Sequence, residues 1–192
     1  NDRLQGQGSS YDTLTGGPGD DTLDGGDGYD RIFESADVDF TATDDLLTGL
    51  GNDTLINIQL VQLFGGSSAN TIDTSSFTGR AFLNGAGGND ILTGGGWYDR
   101  IFGGSGRDSF RFETGDGSDV IYGFETARAR RNSIIPGDEL RLSVEGIDSF
   151  ADLMANASQT GGGVLLDLGG GDQIFLAGTR LAALDEDQFT FY

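Results

Sequence analysis

Residues 16–33 read GGPGDDTLD followed directly by GGDGYDRIF, so a nine-residue pattern occurs twice in succession. Each copy has two glycines, another glycine two positions later, an aspartate two after that and a large apolar residue two after the aspartate. The first six positions are too rich in glycine to propagate a helix or a strand, because glycine loses extra backbone entropy in a regular element. The pattern predicts a turn and then a three-residue strand, which can bury its apolar side chain only by stacking on copies of itself.

The same register extends along much of the chain. Residues 34–84 follow it loosely: TGLGNDTLI (48–56) keeps Asp53, whereas GGSSANTID (65–73) has Asn70 at the aspartate position. The strict pattern returns in the following segments: GAGGNDILT (85–93), GGGWYDRIF (94–102), GGSGRDSFR (103–111) and the variant TGDGSDVIY (114–122). We therefore expect four regions: a first repeat block (1–33), larger metal-poor rungs (34–84), a second repeat block (85–122) and a C-terminal region of different character (123–192).

The apolar residues of the repeats predict a continuous core. They occupy the same place in each copy, two residues after the aspartate: Leu14, Leu23, Ile32, Leu55, Ile72, Leu92, Ile101, Phe110 and Ile121. A disordered linker lacks such a series.

The composition is strongly acidic, which limits how the chain can fold and what it can bind. The chain has 192 residues, 34 of them glycine, and a net charge of −20 with no Lys, His or Cys. Such an acidic chain collapses poorly unless a ligand neutralises it, and it repels nucleic acid. It has no apolar run long enough to span a membrane. Without His or Cys, it cannot form a Ser/His, Cys/His or His-Glu-x-x-His catalytic constellation, so we expect no enzymatic activity from these residues.

The turns predict a cation. If the chain reverses at each turn, two repeats make one coil and aspartates stack on adjacent coils: Asp12 on Asp30, Asp90 on Asp108, Asp2 on Asp21, and Asp99 on Asp119. Stacked carboxylates repel each other. A calcium ion removes the repulsion, since it accepts six to eight oxygens in loose geometry. Magnesium demands tighter octahedral geometry, and zinc prefers His or Cys.

The candidate calcium ligands are turn aspartates and the glycines whose backbone carbonyls can face the ion. In chain order they are Asp2, Asp12, Gly17, Gly19, Asp21, Gly26, Gly28, Asp30, Gly87, Asp90, Gly95, Asp99, Gly104, Gly106, Asp108, Gly115, Gly117 and Asp119. We expect several ions.

From about residue 120 the pattern changes. The C-terminal region predicts a basic irregular loop at Arg128–Arg131 that ends at Pro136-Gly137, then a strand at 139–142. Ser149 and Asp152 resemble a capping box before a short amphipathic helix, and residues 164–168 and 173–177 read as a β-hairpin. Such a non-repeating block predicts a cap for the apolar end of a repeat array. Trp97 and Tyr98 are expected to pack against a neighbouring turn, with contact to a ligand as the alternative.

The repeats resemble those of the repeats-in-toxin (RTX) family, the haemolysin-type calcium-binding proteins. Residues 16–33 and 103–111 match the family nonapeptide at every defined position, and 94–102 departs only in having Trp97 for the third glycine. The resemblance implies an all-β fold, a right-handed parallel β-roll with calcium between its turns. The tail is similar to the capping region of serralysin-type proteases. Gly123 stands where similar tails often carry an aspartate.

The resemblance also implies a bacterial, extracellular protein exported by a type I secretion machine through an uncleaved C-terminal signal. We expect a C-terminal fragment that folds on calcium binding and stabilises a larger protein through an upstream domain. Two alternatives stay open. One is a calcium-dependent carbohydrate-contacting module, which requires arginines along one face. The other is the C-terminal part of a secreted protease, lipase or alginate epimerase.

Overall fold

The computed structural model describes residues 1–126, 128–130, 133–135 and 137–192. Successive strands alternate between two sheets, so that one strand of each sheet and the two turns between them make one coil. The first fourteen strands are β1 (Arg3–Gln5), β2 (Thr13–Leu14), β3 (Thr22–Asp24), β4 (Arg31–Ser35), β5 (Phe40–Thr43), β6 (Leu46–Thr48), β7 (Asn52–Ile56), β8 (Leu60–Phe64), β9 (Thr71–Ser76), β10 (Arg80–Asn84), β11 (Ile91–Thr93), β12 (Arg100–Phe102), β13 (Ser109–Glu113) and β14 (Ser118–Tyr122). The predicted all-β roll of short parallel strands is confirmed.

The two sheets enclose a core made of stacked equivalent residues. Sheet 1 contains β1, β3, β7, β9, β11 and β13, and sheet 2 contains β2, β4, β8, β10, β12 and β14. In sheet 1, Leu92 pairs in register with Ile72 on one side and with Phe110 on the other. All three side chains are fully buried. The predicted apolar series is buried throughout, because each residue lies over its equivalent in the next coil.

Sheet 1 has one insertion, which accounts for the larger rungs of residues 34–84. Strands β5 and β6 lie between β7 and β9, and β6 is antiparallel to both β5 and β7. The turn between β5 and β6 is held by Thr43, whose hydroxyl donates to Asp45 Oδ1 at 2.8 Å. Sheet 2 has no such insertion, so its strands stack without a break.

The C-terminal region prolongs both sheets. Its elements are β15 (Arg128–Arg130), β16 (Ser133–Ile135), β17 (Glu139–Ser143), helix α1 (Phe150–Ala155), β18 (Ala157–Gln159), β19 (Gly163–Gly169), β20 (Asp172–Ala177) and β21 (Phe189–Phe191). The predicted helix is present, with the Ser149 side chain accepting the Asp152 N–H at its start. The predicted hairpin is β19 and β20. Strand β20 pairs in parallel with β14, and β17 pairs with β13 and β21.

The predicted irregular loop around Arg128 was wrong in part. Strands β15 and β16 form a small antiparallel pair with Ala129 opposite Ile134. The β-branched Ile134 and Ile135 favour extended backbone, and this preference outweighs the charge of the neighbouring arginines. Arg131 and Pro136 lie outside the described residues. In the part of the chain that the structure describes, no helix is long and apolar enough to cross a membrane.

Candidate calcium centres in the turns

The turns carry the predicted ligands into two columns, one beside each sheet. Column 1 lies at the turns leading into sheet 1 and contains Asp2, Asp21, Asp90 and Asp108, with Gly17, Gly19, Gly87, Gly104 and Gly106 in the same turns. Column 2 lies at the turns leading into sheet 2 and contains Asp12, Asp30, Asp99 and Asp119, with Gly26, Gly28, Gly95, Gly115 and Gly117. The structure thus brings the aspartates of each expected pair onto adjacent coils.

A ladder of hydrogen bonds links the aspartates within each column. The backbone N–H of Asp90 donates to Oδ1 of Asp108 at 2.9 Å. The other three pairs repeat this contact: Asp12 to Asp30 at 2.8 Å, Asp99 to Asp119 at 2.8 Å, and Asp2 to Asp21. One carboxylate oxygen of each acceptor aspartate is therefore fixed by the neighbouring coil.

The second carboxylate oxygen of most of these aspartates is buried without a partner. The atoms concerned are Oδ2 of Asp21, Asp30, Asp90, Asp108 and Asp119. A buried anionic oxygen without a donor is costly, because it has lost its water and gained nothing in exchange. Five such atoms at equivalent positions in the turns fit the oxygen ligands of a hard cation.

Burial also raises the pKa of several aspartates in the turns. Burial raises the pKa of Asp119 to about 9, and the neighbouring carboxylate of Asp99 adds to the effect. Burial likewise raises the pKa of Asp90 to about 6 and shifts the pKa of Asp99 and Asp108 upward. Without a cation, the folded turns disfavour the ionised form of these four aspartates.

The first glycine of each turn makes room for the aspartate five residues later. A Cβ atom on Gly103 would lie 2.3 Å from Oδ2 of Asp108, and one on Gly85 would lie 2.2 Å from Oδ2 of Asp90. The sequence-based set of ligands did not include these first glycines. Because these glycines lack a Cβ atom, their backbone lies directly beside the unpartnered carboxylate oxygens.

The turns suit calcium better than a cation whose ligands must all be side chains. Within residues 1–126 and the other described segments, no group of three or more His, Cys, Asp or Glu side chains is arranged to hold a metal. Each repeat pair offers two aspartates, so the remaining oxygens must come from the glycine-rich backbone. Calcium accepts such mixed oxygen shells readily. The assignment of individual ligands stays a prediction.

One turn of column 1 is closed by a direct protein contact. Asn70, in place of an aspartate, donates its side-chain amide to Oδ1 of Asp37 at 3.3 Å, and Ser68 N–H donates to the same oxygen at 3.1 Å. These donors lower the pKa of the Asp37 carboxyl, chiefly through the Ser68 N–H. The other polar side-chain atom of Asn70, Oδ1, accepts the Gly66 N–H at 2.8 Å. Asp37 therefore supplies the negative group that Asn70 lacks.

Three acidic residues join the columns although the sequence-based set did not include them. Oδ1 of Asp53 accepts the Asp21 N–H at 2.9 Å, and Oδ1 of Asp138 accepts the Asp108 N–H at 2.9 Å. Asp172 accepts the N–H groups of Gly115 and Gly117 at 2.8 and 3.0 Å. The motif TGLGND could have identified Asp53, whereas Asp138 and Asp172 lie at no repeat spacing.

The repeats of this chain match the model of a known family. No curated protein matches the chain significantly. Among solved structures, the extracellular lipase LipA from Serratia marcescens is similar at 20% identity and a TM-score of 0.45, over 99% of this chain. This chain spans 40% of the length of the lipase chain. The family model of the RTX calcium-binding nonapeptide repeat matches residues 1–32 and 84–115, in four copies. Residues 1–32 and 84–115 of this roll therefore carry the RTX calcium-binding nonapeptide repeat.

Proposed function

We propose that this chain is a module that folds when it binds calcium after export, and that it then stabilises a larger extracellular bacterial protein. The observation that carries the proposal is the set of five buried, unpartnered aspartate Oδ2 atoms in the turns. Bound calcium supplies positive charge at these oxygens, while the glycine-rich turns hold the backbone close to them. A ligand that binds only the folded state stabilises it by RT ln(1 + [L]/Kd) at each site.

The same charges support export as an extended chain. A net charge of −20 keeps the chain expanded where free calcium is scarce, as in a bacterial cytosol. Outside the cell, calcium is plentiful and the repulsion is removed. The proposal includes a type I secretion machine as the transient partner and assigns no catalytic step to these residues.

Limited proteolysis tests the folding part of the proposal. The chain should be degraded rapidly in chelator, resist degradation in calcium, and gain much less protection from an equal concentration of magnesium. Equal resistance in chelator and in calcium contradicts the proposal.

A secretion assay tests the export part. A passenger protein fused ahead of residues 1–192 should reach the medium in cells that carry a type I exporter, and should stay inside when Asp185–Tyr192 is removed. Equal export of both fusions contradicts the assignment of the C-terminal signal and leaves the calcium-dependent folding standing.

A further inference from the structure

The turns of column 2 differ in length. Six residues, 25–30 and 94–99, separate the strands at two of these turns, whereas three residues, 57–59 and 77–79, form the two turns between them. The strands that follow these four turns, β4, β8, β10 and β12, are consecutive neighbours in sheet 2. Three strand spacings amount to about 14 Å. Two long turns therefore flank two short ones and leave a notch between them.

Exposed aromatic side chains form the walls of this notch. Tyr29 comes from the turn 25–30, and Trp97 and Tyr98 come from the turn 94–99. Trp97 occupies the position where the repeat normally has a glycine, and the sequence predicted that it packs against a neighbouring turn. The packing is only partial: Trp97 borders a depression with Phe77 and Thr78 of the neighbouring turn, yet its side chain stays 59% exposed. The neighbouring turn 77–79 is too short to cover it.

The floor of the notch is basic in a strongly acidic protein. It is lined by Arg80, Arg100, Gln62 and Phe82, and by no Asp or Glu. Among the described residues, neither Arg80 nor Arg100 forms an ion pair. The Arg100 guanidinium lies 6.0 Å from the centroid of the Tyr98 ring. The depression between Tyr29 and Tyr98 has a volume of about 270 Å³.

Two carboxylates contact floor residues, and both are engaged by donors there. Asp44 accepts the N–H and the hydroxyl hydrogen of Thr78, with its Oδ1 2.7 Å from the Thr78 nitrogen. Asp99 accepts the N–H of Ala81 at 2.6 Å and belongs to the calcium column. Asp99 also interacts electrostatically with Arg80. Neither carboxylate lines the notch, so the charged groups that a ligand contacts there are the two guanidinium groups.

We propose that this notch binds an acidic saccharide, a sugar segment that carries a carboxylate. Sugar rings have flat apolar faces that suit exposed aromatic walls, with hydroxyl groups at their rims for Gln59, Gln62 and Thr78. Arginine forks pair with carboxylates through two parallel hydrogen bonds. A nucleic acid strand also combines flat rings with negative charge, but it carries a phosphate on every nucleotide and therefore meets more repulsion from a chain with a net charge of −20 than a saccharide with a carboxylate on only some of its rings. The inference goes beyond calcium-dependent folding and requires only the folded chain.

The notch contains its own reporter, because Trp97 is the only tryptophan of the chain. The full chain in saturating calcium should be titrated with a hyaluronan tetrasaccharide, which carries glucuronate, and its tryptophan fluorescence and heat of binding followed. We expect saturable binding, and at least a roughly tenfold weaker response to the neutral chitotetraose, since hydrogen bonds to charged groups contribute most in such a site. Equal binding of the neutral sugar, or no binding at millimolar saccharide, overturns the proposal.

Variants place the binding in the notch. Arg80→Gln and Tyr98→Ala should each weaken binding roughly tenfold, whereas Arg111→Gln, an exposed arginine on the opposite sheet, should leave it unchanged. Calcium-dependent circular dichroism of each variant separates a lost site from a lost fold. If all three variants bind as the parent does, the site lies elsewhere and the proposal fails. Tighter binding of a heparin tetrasaccharide or of an oligothymidylate also overturns it, in favour of sulfated sugars or nucleic acid.

Discussion

Two glycines in each full turn are needed for different reasons. The first lies against its own aspartate, whereas the fourth residue of the motif lies against the next coil. A Cβ on Gly106 would fall 1.6 Å from the carbonyl oxygen of Gly88, and one on Gly51 would fall 1.6 Å from that of Gly19. The fourth glycine also has a positive φ in the strict turns, for example +134° at Gly106. Close stacking of coils depends on this position.

Replacing Gly106 with alanine should therefore destabilise the roll by more than the backbone strain of an alanine at positive φ. Gly171 is a better matched control than a residue in the left-handed helical region, because its φ is +107° and a Cβ there meets nothing within 4 Å. Both variants carry a backbone strain of about 1–3 kcal/mol. Gly106→Ala adds about 1–3 kcal/mol for the overlap with the neighbouring coil. Denaturant unfolding in saturating calcium measures the difference, and equal losses from the two variants contradict this role.

Replacing Asp108 with alanine should raise the calcium concentration required for folding. Asp108 offers a buried, unpartnered Oδ2, whereas Asp45 lies in the β5–β6 turn and accepts a hydrogen bond from Thr43. We expect Asp108→Ala to shift the calcium midpoint by roughly tenfold or more, since each 1.4 kcal/mol of lost binding energy is a factor of ten. Asp45→Ala should change it little. Calcium titrations followed by circular dichroism provide both midpoints, and identical midpoints mean that the register of the columns is wrong.

Acid should partly replace calcium in the calcium-free chain. Burial raises the pKa of Asp119 to about 9 and that of Asp90 and Asp138 to about 6, above the ordinary value of 3.8. A raised folded-state pKa means that stability is lost as the pH rises through it and is fully present below the unfolded value. In calcium-stripped buffer, the β signal should increase as the pH falls from 9 towards 5. A constant or decreasing signal argues against stacked, desolvated carboxylates.

At the scale of elements, the sequence predicts the strands and turns that recur with the nine-residue pattern. It does not predict contacts that occur only once in the fold. The strands, their buried apolar positions and the C-terminal helix and hairpin follow from periodicity and capping. The β5–β6 insertion cannot be predicted in this way, because no sequence repeat corresponds to an antiparallel pair inside a parallel sheet. Asp138 and Asp172 accept hydrogen bonds from column residues that lie 30 and 57 positions earlier in the sequence. Spacing within the sequence carries no trace of such contacts.

The C-terminal elements should be required for the roll to fold. Strand β20 covers β14 and places Ile174 and Leu176 in the core, and β21 pairs with β17. Removing residues 149–192 exposes the last edges of both sheets together with the apolar side chains beneath them. We expect residues 1–148 to lose most of the β signal that calcium induces in the full chain. A truncated chain that folds at the same calcium concentration contradicts the proposed cap.

At the scale of the whole molecule, charge and fold are coupled. Thirty-one acidic residues oppose eleven arginines, and the folded coils bury a column of aspartates beside each sheet. The positive groups compensate these columns only slightly: Arg80 interacts with Asp99 and the N-terminal amine lies 3.5 Å from Oδ1 of Asp21, but within the described residues no arginine forms an ion pair with a column aspartate. Calcium binding and folding should therefore be one event.

One titration tests this requirement most directly. Bound calcium and far-ultraviolet circular dichroism should be measured on the same samples of the full chain as free calcium rises from chelator to millimolar, with magnesium in parallel. We expect a coil-like spectrum in chelator and two curves that rise together, cooperatively, with several ions bound, while magnesium has little effect. A full β spectrum in chelator, or calcium bound without a change in dichroism, contradicts this expectation.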